Sequence, residues 1–551
     1  MDPQYLAALQ ETLVQTFEPA TVKLATARLS KEFYTDDRAL PCLLHVLQTA
    51  EQDQVKQLAA VEARKLVPVQ WEKVDPAQKL QIRAGLLQNT FLQPQKLVRH
   101  SSARVVAAIA EYDMDDGAWP ELLPALVSAV QSSDSQTKEM AVYALYTLLE
   151  TQSPALAAHQ DDFVALFAQL LTDASLEIRV NAVLCLDCLL QFLDESDANA
   201  ATAAQFKALI SGMLDVLQAV IAADDADKTK AVFDVMNSLL FLDNKLVGEQ
   251  IVRLIASIAE IAANTSLDEE YRCMALQFLV SVVSLRKTKV SSNNLGPQLT
   301  VVATQIALEE IDVEDELDNE DEENENEENT PAALALRLMG VLLGELPPSQ
   351  VIAPFFDQLP GMVSSQNLFA RRAALLIIGV ASAGAPDYLA TQVAKIVPLL
   401  VNGLQDPEVV VKVAAVRAVA QLSSELQDNL ADYHEQLLPL IMANIDSAAH
   451  VMAYKYACYA LDGIIEFMGH DAIAQYMAPL MQKLFSMLLT ANSSSLKTAI
   501  VSAIGSTAFA GGKGFTPYFN ELIHVLEPFI SNAAQTEGMS EEDIELRALT
   551  F

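Results

Sequence analysis

The sequence of 551 residues contains few cysteines and few aromatic residues. Five cysteines cannot form a disulfide framework in a chain of this length, which fits a reducing compartment inside the cell. Aromatic residues make up only 6% of the chain, so the core has to be built mainly from aliphatic side chains. The first residues include neither a basic region nor a long apolar segment, so we expect no signal peptide.

Basic residues are also scarce, because 35 Lys and Arg stand against 72 Asp and Glu, a formal net charge of -37. Binding to phosphates needs a basic surface, so we expect no direct contact with nucleic acid and favour a positively charged protein partner. Long apolar runs are missing as well. Two uncharged and largely apolar runs, 373–386 and 498–512, are shorter than the roughly 20 residues that cross a bilayer, so we expect no membrane insertion.

Motifs for catalysis or metal binding are missing too. Cys185 and Cys188 form a CxxC sequence, but no second pair of ligands completes a zinc site, and their predicted place inside a helix does not suit a redox pair. We interpret both as buried structural thiols. No nucleophile motif such as GxSxG occurs. The sequence therefore predicts neither an enzyme nor a bound cofactor or metal.

An internal repeat is the main feature that the sequence does contain. A basic residue recurs thirteen times at an average spacing of about 44 residues, which is typical of HEAT and armadillo repeats. We expect these residues to form a structural ladder. They are Lys23, Lys56, Arg99, Lys138, Arg179, Lys230, Arg272, Arg337, Arg371, Lys412, Lys455, Lys497 and Arg547.

Each period holds two amphipathic segments, such as 161–172 and 176–193. The sequence therefore predicts an all-α fold, a right-handed superhelical solenoid of about thirteen HEAT repeats built from antiparallel helix pairs. One pair cannot bury its own apolar stripe, so neighbouring pairs share a continuous core. The thirteenth repeat stops after about three turns of its second helix with no polar cap, so we expect a piece of a longer protein.

One interval of the repeat is lengthened by an acidic run, in which 14 of the 20 residues from Glu309 to Glu328 are Asp or Glu. Such a run repels itself and cannot bury enough surface to fold, so we expect a disordered loop. Either the run only keeps the protein soluble, or it contacts a Lys/Arg-rich partner; its place inside a repeat favours contact. The predicted regions are repeats 1–3 in 1–130, repeats 4–7 and the first helix of repeat 8 in 131–308, the acidic loop in 309–329, and the remaining helices in 330–551.

The HEAT periodicity, the acidity and the acidic run inside one repeat together resemble the importin-β (karyopherin) family. The segment 18–29, EPATVKLATARL, is similar to the opening second helix of that family. Ala63-Arg64-Lys65 followed by Trp71 is similar to its second unit, although Leu66 replaces the Asn often found after the Lys. Within the family, the sequence is most similar to the importin-four branch, which includes the yeast karyopherin for ribosomal proteins and histones.

This resemblance implies a nuclear import receptor. It would bind basic localisation signals of cargo such as ribosomal proteins and histones. Short Phe-Gly segments of nucleoporins would insert between neighbouring first helices, and the GTP form of the GTPase Ran would release the cargo. The resemblance also implies a monomer that shuttles between cytoplasm and nucleus through the pore.

The resemblance further implies that Ran contacts the second helices of repeats 1–3 and the surroundings of the acidic run. The candidate Ran-binding residues are Glu62, Arg64, Lys65, Asp312, Glu314, Asp315, Glu316, Glu320, Asp321, Glu322 and Glu323. The candidates for binding cargo lysines are acidic residues of second helices, namely Asp187, Asp234, Asp462 and Glu466.

Two other functions are compatible with the same repeat. A HEAT scaffold of the phosphatase-subunit kind would be indifferent to Ran and would need no acidic run. A histone chaperone would use the acidic run to shield basic proteins without transport, and RanGTP would not displace the histone.

Overall fold

The structure is a computed structural model that describes residues 2–190, 200–241, 248, 250–318, 330–448, 450–531, 544–546 and 548. Every regular element within these ranges is a helix, which confirms the predicted all-α class. The chain forms two compact units, Met1–Leu254 and Ile255–Phe551. This division differs from the predicted boundaries at 130 and 308, because similar repeats continue across each of those positions.

The first unit is built from pairs of helices, each joined by a short turn, so that every predicted repeat contributes a first and a second helix. Helix α2 continues into a π-helical turn, Leu29–Phe33, and the short α9 precedes α10. The helices are α1 Pro3–Gln15, α2 Val22–Arg28, α3 Ala39–Thr49, α4 Asp53–Gln70, α5 Pro76–Leu92, α6 Lys96–Asp113, α7 Leu122–Val130, α8 Ser135–Leu149, α9 Pro154–Ala157, α10 Gln160–Leu170, α11 Leu176–Leu190, α12 Ala200–Ala222 and α13 Ala226–Ser238.

The second unit continues the same plan, starting within α14. Two short helices, α23 and α26, precede the first helices of repeats 11 and 12. The helices are α14 Gln250–Ala263, α15 Glu269–Ser292, α16 Gly296–Ala307, α17 Val313–Asp318, α18 Pro331–Glu345, α19 Pro348–Val363, α20 Leu368–Gly384, α21 Pro386–Leu404, α22 Val409–Leu426, α23 Asp428–Ala431, α24 His434–Ser447, α25 Val451–Glu466, α26 His470–Ile473, α27 Met477–Thr490, α28 Ser494–Gly511 and α29 Thr516–Ser531.

Repeat 10 shows why the sequence folds into such pairs. Helix α21 begins with Pro386, whose missing N–H costs nothing in the first turn, and it buries Leu389, Val393, Val397 and Leu400 at helical spacing. Helix α22 is buried on several sides, because it packs against α21 and also against α20 and α25 of the neighbouring repeats. Within each unit, the second helices therefore pack in a row and form a shared core, as the sequence predicts.

The predicted ladder of basic residues joins several neighbouring repeats. A cation at the start of one second helix binds a carboxylate near the end of the next first helix or in the turn after it. The two oxygens of Asp406 accept bonds of 2.7 and 3.0 Å from Arg371. Burial opposes ionisation of Asp406, but the bond and charge of Arg371 together with the backbone N–H of Glu408 outweigh it, so the pKa of this carboxyl lies below its usual value. Three such pairs are Lys138 with Asp173, Arg272 with Glu309, and Arg371 with Asp406.

The acidic run differs from the disordered loop predicted over 309–329, because its first part is ordered. It connects α16 and α18, which pack against each other, and residues 313–318 form helix α17. This helix contacts α22 and α25, and Leu317 is buried. The prediction failed because it averaged the charge of the run and overlooked one leucine and one carboxylate that bind the neighbouring helices.

A buried polar network joins repeats 2 and 3. The Asp113 carboxylate accepts a bond of 3.0 Å from the Trp71 indole and one of 2.7 Å from Arg83, and all three side chains are buried. Arg83 also donates to the carbonyl of Ala118 at 2.6 Å. Trp71 is therefore a core residue with a polar partner, because its N–H has to be satisfied once it is buried.

One helix of the described chain is long and apolar enough to cross a membrane by composition alone, Ala204–Ala222 within α12. Its buried residues Phe206, Ile210, Met213 and Leu217 recur every three or four positions. Such a stripe is typical of an amphipathic helix in the core of a helical repeat, and α12 packs against α10, α11 and α13.

We expect Asp113→Ala to lower the free energy of unfolding of the first unit by about 3–5 kcal/mol, because it leaves the buried Arg83 guanidinium without its counter-ion. Denaturant unfolding followed by circular dichroism measures this change. Lys73→Ala removes the exposed pair with Asp37 and should change stability by less than about 1 kcal/mol. Equal effects of the two variants would contradict a special role for the buried network.

Candidate functional site

The first group of predicted Ran-binding residues lies on α4, the second helix of repeat 2. Arg64 and Lys65 are exposed, whereas Glu62 is half-buried and accepts a bond of 2.7 Å from Lys65. The neighbouring Ala59 and Ala63 are buried and place the opposite side of α4 against the core. The helix therefore presents two cations to solvent, one of them already paired with a carboxylate.

The second group of predicted Ran-binding residues lies in the acidic run, and the structure separates its members. Asp312 caps the start of α17 by accepting from the backbone N–H of Glu314, which is exposed. Glu316 instead binds Arg372 of α20 through both carboxylate oxygens, at 2.6–3.0 Å. Asp315 lies on α17. The remaining candidates lie outside the described residues: Glu320, Asp321, Glu322 and Glu323.

Two of the predicted cargo-binding residues, Asp187 on α11 and Asp234 on α13, belong to one acidic cluster. Asp187 lines a cavity of about 280 Å³ together with Glu150 and the Tyr146 ring, and Leu149 and Leu184 add apolar walls. The Tyr146 hydroxyl donates to Glu150 at 2.7 Å. Glu150 was missed at the sequence level, although it precedes Asp187 by 37 residues, close to one repeat.

The electrostatics of this cluster favour a cation. Burial raises the pKa of Asp187 to about 6, the hydroxyl of Ser238 opposes that rise, and the negative charge of Asp234 adds to it. Among the described residues, the side chains that shift the pKa of Asp187 are those of Ser238 and Asp234, and neither is a cation. The cavity therefore combines the Asp187 carboxylate with aliphatic walls, and such a site suits a lysine side chain.

The other two predicted cargo-binding residues lie near the end of α25 and differ from each other. Asp462 accepts bonds from the hydroxyls of Ser502 and Ser506 on α28, so both of its oxygens already brace the next repeat. Glu466, the last residue of α25, is exposed. Glu466 is therefore available to a partner, whereas Asp462 has a structural role that its sequence context did not reveal.

An apolar groove between two first helices was not predicted at any residue level. It lies between α7 and α10 and has a volume of about 580 Å³. On α7 and the turn before it, the groove is lined at the spacing i, i+3, i+4 and i+7 by Pro120, Leu123, Pro124 and Val127. This spacing indicates a second apolar side on a helix whose other side is already buried. The lining includes Trp119, Pro120, Leu123, Pro124, Val127, Phe163 and Leu166.

The cysteines of the CxxC sequence are buried, as expected for structural thiols. Burial raises the pKa of the Cys188 thiol to about 12 and that of Cys185 well above its ordinary value, so both stay protonated at neutral pH. Within the ranges that the structure describes, no group of three or more His, Cys, Asp or Glu is arranged to hold a metal ion.

Comparison with family models places three matches along the chain. Residues 25–91 match the importin-beta N-terminal domain, residues 94–255 match the IPO5-like TPR repeats, and residues 370–422 match a HEAT-like repeat. The first match covers helices α2 to α5 and includes the exposed cations of α4.

Similar proteins include several importins. The chain is 35% identical over 543 residues to the probable importin subunit beta-4 of Schizosaccharomyces pombe, covering 98% of this chain and 49% of that protein. It is 26% identical to importin-4 of Homo sapiens, covering 95% and 49%, and 24% identical to importin subunit beta-3 of Saccharomyces cerevisiae, covering 91% and 47%. The chain therefore spans about half the length of these relatives.

Solved structures of the same fold include Kap121p, with a TM-score of 0.82 at 21% identity over 100% of this chain and 53% of that one. Kap121p bound to Nup53p superposes with a TM-score of 0.80. Fold and repeats together define a HEAT-repeat solenoid of the karyopherin type. The chain belongs to the importin-β (karyopherin) family, and the relatives that match nearly its whole length are importin-4-like transport receptors rather than enzymes.

We expect Asp187→Asn to stabilise the first unit at pH 7 by up to about 2 kcal/mol, because it removes a carboxylate whose charged form is disfavoured by burial. Because the pKa of Asp187 is higher in the folded than in the unfolded chain, its protonation favours folding fully at a pH below the unfolded pKa of about 3.8. This contribution to stability is lost as the pH rises through the folded pKa of about 6. The gain should therefore shrink between pH 7 and pH 4.5. Melting temperatures at both pH values test this, with Asp116→Asn in an exposed loop as the control; a gain that is independent of pH would contradict it.

Proposed function

We propose that this chain acts as a nuclear import receptor that binds basic cargo, crosses the nuclear pore on Phe-Gly nucleoporins and releases its cargo when RanGTP binds. The observation that carries the proposal is the importin-beta N-terminal domain over residues 25–91, on which α4 presents Arg64 and Lys65 to solvent. The net charge of -37 supports a basic partner, because opposite charges speed and orient association.

Binding of RanGTP is proposed to use α4 and the exposed part of the acidic run. Arg64 and Lys65 supply cations on the second helix of repeat 2, and Glu314 supplies an exposed carboxylate on α17. Release of cargo then requires that Ran and cargo favour different arrangements of the repeats, a reciprocal coupling of about 1–3 kcal/mol. Neighbour-only contacts make a solenoid soft enough for such a change.

We expect the chain to bind Ran loaded with a GTP analogue and to bind Ran-GDP at least about tenfold more weakly. Arg64→Ala combined with Lys65→Ala should weaken binding of the GTP form about tenfold, which corresponds to about 1.4 kcal/mol. Biolayer interferometry at 50 and 150 mM salt measures both effects, and Lys395→Ala, an exposed cation on a first helix of the second unit, is the matched control.

Equal affinity for the GTP and GDP forms of Ran, or no binding of either form, would contradict the proposed switch. The scaffold hypothesis predicts no binding of either form. A chaperone would instead hold a basic protein that RanGTP fails to displace.

Cargo lysines are proposed to bind the cluster of Asp187, Asp234 and Glu150 in the first unit, and Glu466 in the second. The cavity beside Asp187 offers aliphatic walls for the stem of a lysine and a carboxylate for its ammonium group. Ribosomal proteins and histones are the proposed cargo, because both are rich in lysine and arginine.

Nucleoporin Phe-Gly segments are proposed to bind the apolar groove between α7 and α10. The groove lies between the first helices of neighbouring repeats, and Leu123, Val127 and Leu166 give it walls that suit a phenylalanine ring. Kap121p, which shares the fold, has been crystallised with Nup53p. Receptors that use such grooves shuttle between cytoplasm and nucleus, which is the proposed location of this protein.

We expect Val127→Asp, at the exposed rim of the groove, to weaken binding of a Phe-Gly repeat peptide at least about fivefold, because a carboxylate disfavours burial of the ring. Leu489→Asp, an exposed leucine on the first helix α27, is the matched control and should leave affinity unchanged. Fluorescence anisotropy with a labelled peptide measures both. An equal loss in the two variants would show non-specific apolar binding and would contradict the assignment of the groove.

A further inference from the structure

Three successive second helices of the second unit carry cations in a chain that is otherwise strongly acidic. Helix α20 contains no carboxylate, and the first carboxylates of α22 and α25 come only at Glu425 and Asp462. Arg371 and Lys412 also lie early in these helices, and Arg371 is paired with Asp406. We call the other three early cations the basic face: Arg372 on α20, Arg417 on α22 and Lys455 on α25.

Two cations of the basic face are buried, although charged side chains are normally hydrated at the surface. Arg372 is only 6% exposed and Lys455 only 4%, which is rare for cations that could otherwise be hydrated. Helix α17 contacts the two helices that carry Arg417 and Lys455, and its Glu316 binds Arg372. The residues 309–318, which we call the stem, therefore lie over this part of the second-helix row.

The contact between stem and basic face has the features of a specific ligand contact. Glu316 forms a two-pronged ion pair with a nearly buried guanidinium, a geometry that selects a carboxylate. The adjacent Leu317 is only 3% exposed, so charge pairing is combined with apolar burial. Within the described residues, Nη1 of Arg372 is buried and has no acceptor.

We propose that the basic face is a binding surface for a short acidic helix with adjacent glutamate and leucine. The stem occupies this surface within the same chain. A partner segment of the same chemistry binds there after displacing the stem. This proposal does not depend on Ran, nucleoporins or basic cargo. A basic segment would not replace the stem, because the Arg372 guanidinium would then lose its counter-ion in a nearly buried position.

A labelled peptide with the sequence of residues 308–318, LEEIDVEDELD, tests the proposal when it is titrated into the whole chain. Glu316→Gln with Leu317→Ser opens the surface, and we expect this double variant to bind the peptide at least about tenfold more tightly than the wild type. A tethered segment competes at an effective concentration in the millimolar range, so the wild-type stem should exclude the free peptide.

Two controls isolate the contact. Glu310→Gln changes an exposed carboxylate of the stem and should leave peptide binding as weak as in the wild type. Arg372→Gln added to the double variant should weaken peptide binding at least about tenfold. If circular dichroism shows that the triple variant is poorly folded, Arg372→Lys is used in place of Arg372→Gln. This substitution keeps the charge but not the two-pronged geometry, so we expect an intermediate loss of peptide affinity.

Amide hydrogen exchange gives a readout without added peptide. Backbone amides of 313–318 should be protected in the wild type and in Glu310→Gln, and should exchange faster in the double variant. Equal peptide affinity of the wild type and the double variant, no binding by the double variant, or binding that ignores Arg372 would each overturn the proposal. A scrambled peptide of the same composition that binds equally well would also overturn it.

Discussion

Within each unit, the packing of a second helix against its own first helix and against the second helices of neighbouring repeats is the constraint on which the rest of the molecule depends. A single pair leaves an apolar side uncovered, so every repeat needs its neighbours, and Arg371 with Asp406 shows how a charged bond fixes their register. The same constraint determines where function can lie. Second helices are enclosed on several sides, so partners reach only their remaining face, the turns, or the grooves between first helices.

Charge acts locally in this protein, although the chain as a whole is strongly acidic. Asp187 is a partly buried carboxylate without a cation, whereas Asp462 is satisfied by two serine hydroxyls and Glu316 by Arg372. Three acids that the sequence offered as binding residues therefore have three different states. The net charge indicates the sign of a partner, but burial and hydrogen bonding decide which carboxylates are available to it.

The fold was predictable from the sequence because its period, its helix pairs and its basic ladder are local and recur many times. The family followed from Arg64, Lys65 and Trp71 together with the acidic run. The contact of Glu316 and Leu317 with distant helices was not predictable, because it joins residues 56 positions apart with no repeating pattern. The groove between α7 and α10 was overlooked because the repeat pattern indicates only the side of each helix that faces the core, and the groove lies on a second apolar side of α7.

The position of the two tryptophans has a spectroscopic consequence. Trp71 lies in a buried polar network and Trp119 in the wall of the apolar groove, both within Met1–Leu254, and the sequence has no others. Intrinsic indole emission of this protein therefore reports on the first unit only, while the second unit is silent at that wavelength. Occupancy of the groove and melting of the early repeats become visible without an attached dye.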